Sequence, residues 1–114
     1  MRGTVKIGDK ELTMVANGAT PFLFKRVFHK DFLVAAQKKD KDGDTDMDVY
    51  AQLGYIMAMQ AEKPLADLVN ALTADDFLTW IEGFEAMDLV SVAPEIFALY
   101  QAQAVPSSRA KKKR

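Results

Sequence analysis

Five aspartates stand at every second position of the stretch DKDGDTDMD: Asp40, Asp42, Asp44, Asp46 and Asp48, with Gly43 among them. Carboxylates at this density, between two apolar helix-like flanks, have the composition of a helix–loop–helix calcium site. Such a loop needs glycine at its sixth position, where positive φ is wanted, and a bidentate glutamate at its twelfth. Counted from Asp40, the sixth position is Thr45 and the twelfth is Ala51, which offers no oxygen. Counted so that Gly43 is sixth, the first position is Lys38 and the twelfth is Val49. Neither register closes, so no metal site is expected; Asp40, Asp42 and Asp44 are the residues a weakly held cation would meet. The run reads instead as a solvated spacer between two helices, its late aspartates capping the second.

The other reactive groups are sparse. His29 is the single histidine and there is no cysteine, which excludes thiolate ligands and a histidine-rich metal site. Ser91, Ser107 and Ser108 have no base near them in sequence, and no glycine-rich phosphate loop is present. Glu82 and Glu85 are a carboxylate pair of the kind helix faces carry routinely. Neither catalysis nor a cofactor is expected. The absence of cysteine fits a reducing, cytoplasmic setting. The opening MRGTVKIGDKELT has no apolar run, so no signal peptide is expected, and no stretch is long and apolar enough to span a membrane.

The elements that carry these residues follow from pattern. The chain has 114 residues, 49% hydrophobic and 27% charged, which suits one globular domain. Alternation in TVKIGDKELTMVA predicts a β-hairpin over roughly 4–8 and 11–16, turning at Gly8-Asp9-Lys10. A lone hairpin is marginal and must pack on something. Thr20 is the expected N-cap of a helix with Pro21 in its first turn, running to about Gln37 on a stripe of Phe24, Phe28, Phe32 and Ala35, widened by Val27. Further helices are expected from Asp46 or Asp48 to Glu62, over LADLVNAL, from Thr73 as cap through Phe84, and from Met87 to Gln103. Pro94 is expected to kink or restart the last of these. The fold class is therefore α+β, a short N-terminal hairpin packed on a four- to five-helix bundle. Residues 1–104 form the domain and 105–114 a disordered basic tail.

Charge is segregated behind a net of −1. Residues 1–39 carry +5, residues 64–108 carry −7 with no lysine or arginine, and RAKKKR at the end carries +5. Such division speaks of association, here head-to-tail homo-oligomers or a charged partner. The basic tail lacks interleaved aromatics, so no specific nucleic-acid reading is expected. Six methionines and a dense set of aromatics exceed what a small chain need bury, which points to a surface for apolar helices. Tyr55, Met59, Trp80 and Phe84 are the residues expected to meet such a partner.

Three strings in order, VKIGDKELTMVANGATPFLFKRVFHKDF, LGYIMAMQAEK and DFLTWIEGFEAMDL, resemble the tail assembly chaperones of long-tailed bacteriophages and of prophages in Gram-positive hosts. The likeness spans about residues 5–100. It implies a protein of the host cytoplasm, absent from the mature virion, that coats the long helical tape measure protein, keeps it soluble and helps recruit tail tube protein. It implies no catalytic residues. Members are often made in two forms by a ribosomal frameshift, and the codons for Lys111, Lys112 and Lys113 are of the A-rich kind on which ribosomes slip. A calcium-responsive helix–loop–helix module is the alternative reading, with micromolar calcium binding in calorimetry as its test.

Overall fold

In a computed structural model of the chain, residues 2–31 and 47–104 are described. An antiparallel hairpin, β1 (Arg2–Ile7) and β2 (Lys10–Val15), precedes α1 (Thr20–Phe28), α2 (Met47–Glu62), α3 (Leu65–Ala71), α4 (Ala74–Ile81) and α5 (Ala86–Ala104). The fold is α+β: a two-stranded N-terminal hairpin packed against five helices among the described residues.

The hairpin forms where the alternation places it, with a tighter turn. Ile7 pairs with Lys10, so Gly8 and Asp9 alone make the reversal. Gly8 sits at φ 66°, the positive value that the first central residue of a two-residue hairpin turn needs. Val5, Ile7 and Met14 are buried on one face with Leu12, while Thr4, Lys6, Glu11 and Thr13 point to water. That face is laid on α2 through β2 and on α5 through β1. A Cβ on Gly8 would also lie 2.6 Å from Asp88 Oδ2. Gly8→Val therefore meets both a strained backbone and a crowded carboxylate, and is expected to lower stability by about 2 kcal/mol. A thermal melt checks this, and an unchanged midpoint would contradict it.

Helix α1 departs from expectation at both ends. Thr20 is its first helical residue, not its cap; Ala19 precedes it and offers no side-chain cap. The Thr20 hydroxyl is fully buried and does other work. It accepts the Asn17 N–H at 2.9 Å and donates to Gln60 Oε1 at 2.6 Å, joining the start of α1 to the end of α2. The helix stops at Phe28 rather than Gln37. His29 is left-handed at φ 59°, and its N–H closes the last turn on the Lys25 carbonyl at 2.8 Å. Histidine tolerates this conformation better than most residues, and Lys25 and Arg26 favour the negative helix end. Phe32 and Ala35, expected on the same stripe, lie outside the described residues.

Helix α2 is the centre of the molecule. Residues 53–58 are buried without a break, and the helix touches β2, α1, α3, α4 and α5. A helix apolar on every side is one enclosed on every side. The apolar excess expected to leave Tyr55 on an outer face is absorbed here by core packing. Thr73 caps α4 as expected, accepting the Asp76 N–H at 2.9 Å with Asp75 and Asp76 in the first turn. Helix α5 continues through Pro94, where a kink or restart was expected, without a restart. Pro94 is exposed and lies within it, while Val92, Ala93, Ile96 and Tyr100 hold its buried stripe on both sides. The carbonyl that proline cannot serve belongs to Val90, a residue open to water.

Candidate functional site

Three of the described helices and the turn after α4 bring an aromatic cluster together. Phe28 ends α1, Tyr55 lies mid-α2, Phe77 and Trp80 lie on α4, and Phe84 follows it. Phe28 meets Phe77 edge-on at 5.2 Å and Tyr55 at 6.3 Å. Tyr55 meets Phe77 at 5.7 Å and Trp80 at 5.8 Å, and Trp80 meets Phe84 at 4.9 Å. Lys10 closes the far end. Its ammonium stands 5.0 Å over the Phe84 ring and donates to the Gly83 carbonyl at 2.8 Å, tying the hairpin turn to the end of α4.

Three of the expected partner residues, Tyr55, Trp80 and Phe84, are thus one continuous set of rings. Their exposure differs. Tyr55 is 0% exposed and belongs to the core, so it presents nothing to a partner in this conformation. Met59, Trp80 and Phe84 are half-buried and packed on that core.

The Tyr55 hydroxyl donates to Asp76 Oδ2 at 2.6 Å. Burial first, then this bond and the negative charge of Asp76, push the phenol well above its ordinary value. Tyr100 on α5 is raised as well, by burial first and by the charge of Asp31 second. Below pH about 10 both phenols are protonated folded or unfolded; above it the unfolded chain loses these protons first. Stability is therefore expected to fall with rising pH past about 10, by up to roughly 1.4 kcal/mol per pH unit for each tyrosine. Urea unfolding across that range checks the sign, and Tyr55→Phe should flatten the slope.

Beside the cluster lies a groove of about 420 Å³ between α4 and α5. Phe28, Phe77, Leu78, Ile81, Leu89 and Val90 give it an apolar lining, and Ala51 and Gln52 of α2 reach its floor. Leu78 is 55% exposed and Val90 42%, so two of its apolar residues face water. Gln52 supplies its one polar side chain among the described residues, and Gln52 Oε1 is buried with no hydrogen-bond donor. Sequence pattern missed this groove because it joins α4 to α5 across the Gly83 turn and rests on α1 and α2. Leu78 and Val90 looked like ordinary members of apolar helices.

A second hollow lies where the hairpin turn meets the end of α4, lined by Asp9, Glu82, Glu85 and Asp88 around Lys10. It is a solvated acidic rim rather than a cation cage: among the described residues no three acidic or histidine side chains converge on a common point. His29 caps α1 and is exposed. Asp40, Asp42, Asp44 and Asp46 lie outside the described residues, as does the basic tail 105–114; Asp48 is the second residue of α2 and not its cap. No described helix is long and apolar enough to cross a membrane. Compared with known proteins, the chain matches no family model, no curated protein and no solved structure at a significant level.

Proposed function

We propose that this chain is a tail assembly chaperone of the long-tailed phage type, binding the tape measure protein and helping to bring tail tube protein to it, without catalysing a reaction. The observation that carries the reading is the ordered likeness of the three strings across residues 5–100. The structure's apolar, partly open groove between α4 and α5 supports a binding role, since an apolar surface left open is a common mark of a partner site. Phe22, Leu65 and Met87 add exposed apolar side chains elsewhere on the helices. A tape measure protein is long, and a chaperone that lines it must bind at many places with low demand on sequence. Shallow apolar contacts supply that, and the opposed charges of the two halves would bring neighbouring copies together along it.

The reading places the protein in the bacterial host cytoplasm and not in the finished virion. Two observations test it at the level of the gene and the particle. A tail tube gene is expected upstream and a very long helical reading frame downstream. Mass spectrometry of purified virions should lack this chain while finding the tube protein; its presence in stoichiometric amount would defeat the reading. Of the four residues expected to meet the partner, Met59, Trp80 and Phe84 are half-buried and lie outside the groove's lining, and Tyr55 is buried in the core.

A further inference from the structure

The groove between α4 and α5 has walls of one charge sign. From residue 64 to residue 102 the chain has no lysine or arginine and seven acidic residues. Six of these, Asp67, Asp75, Asp76, Glu82, Glu85 and Glu95, are exposed. Asp75 and Asp76 are the only charged side chains of α4, and Asp88 and Glu95 the only ones of α5, so neither helix carries a cation beside the apolar lining. A volume of about 420 Å³ takes a few side chains. It does not take a whole helix, which is about 10–12 Å across. An occupant therefore rests on the rim and inserts a stripe of anchors at helical spacing. Its flanks then face carboxylates: acidic flanks are repelled, and basic flanks are drawn in and oriented.

We propose that this groove docks an amphipathic helix of another protein, with an apolar stripe for the groove and with lysine or arginine along both flanks. The inference rests on the binding-protein reading above and names the chemistry of the partner segment. Such a helix is poorly soluble by itself in the apolar direction and repels its own kind along the basic one, so an acid-rimmed groove suits both needs. The apolar anchors set affinity, and the rim sets partner choice and rate of encounter.

The probe is a synthetic helix of about 18 residues, roughly five turns. It carries leucines at helical spacing and lysines on the flanks, and its binding to the full chain is followed by fluorescence anisotropy. A second peptide replaces the lysines by glutamates. The lysine peptide is expected to bind at least about tenfold tighter than the glutamate peptide, with the difference shrinking as salt rises. Leu78→Gln and Val90→Gln change neither charge nor buried core, so each should leave the circular-dichroism melt unchanged while weakening the lysine peptide about tenfold. Equal binding of the two peptides overturns the proposal, as does binding that both variants leave intact. Self-association abolished by the same variants also overturns it, because the groove would then be filled by a second copy. If neither peptide binds while the chain still keeps a tape measure fragment soluble, the groove proposal falls and the chaperone reading stands. If the lysine peptide binds and no tape measure fragment does, the chaperone reading falls and the groove stands.

Discussion

Tyr55→Ala is expected to cost the fold about 3–5 kcal/mol, the range for truncating a large aromatic in a closed core. Tyr55 has no exposed surface and touches rings from α1 and α4. Its removal leaves a cavity beneath Phe28, Phe77 and Trp80, and frees Asp76 from its hydrogen bond. A small domain has only about 5–15 kcal/mol in total, so the variant should be marginal. Tyr55→Phe keeps the ring packing and loses the hydroxyl alone. Asp76 is exposed and can turn to water, which limits the loss to about 1 kcal/mol. Urea unfolding followed by circular dichroism separates the two. Equal losses would mean that the hydroxyl bond, rather than the ring cluster, holds α4 in place.

The second large effect is expected at Gly54, in the middle of α2. A Cβ there would stand 2.9 Å from Ile96 Cδ1 and 3.7 Å from Met14 Cε. The glycine lets α5 and the hairpin close on α2, where Ile96 and Met14 are fully buried. Gly54→Leu forces several extra carbons into this junction and is expected to cost about 3 kcal/mol, at the upper end for overpacking. Gly54→Ala is a milder case, since the nearest atom is the tip of a flexible side chain and alanine favours the helix by about 1 kcal/mol. The leucine variant should therefore lose its sharp thermal transition while the alanine variant stays within about 1 kcal/mol of the parent. Similar melts for all three would contradict the close packing of α2 and α5.

Much of this architecture was legible because local chemistry settles it. The hairpin is written in the alternation around Gly8, and the α4 boundary in Thr73 followed by Asp75 and Asp76. Helices α2, α3 and α5 were found within a residue or two of where pattern places them. The misreadings have a common physical origin. Helix α1 was carried past Phe28 because its apolar stripe continues in sequence and no glycine marks the stop; His29 makes the left-handed turn in its place. Thr20 has the residue type of a cap, but its hydroxyl instead donates to Gln60, 40 residues away. Tyr55 was assigned to an outer face because α2 is apolar all round, and only the surrounding elements decide which side is outside. The groove was invisible for the same reason: Leu78 and Val90 are brought together by the turn at Gly83 and not by periodicity. The acidic run has the composition of a calcium loop but not its closure, because Thr45 and Ala51 stand where glycine and glutamate are needed.

The proposed role is that of a chaperone for a long helical tail protein. Its most direct test is co-expression with fragments of the tape measure protein from the same genome, measuring how much of each fragment is soluble and copurifies with a tag on this chain. The account predicts fragments that are insoluble alone and soluble as a stable complex when this chain is present. Fragments equally insoluble with and without it, from a chain whose melt shows it folded, would contradict the account.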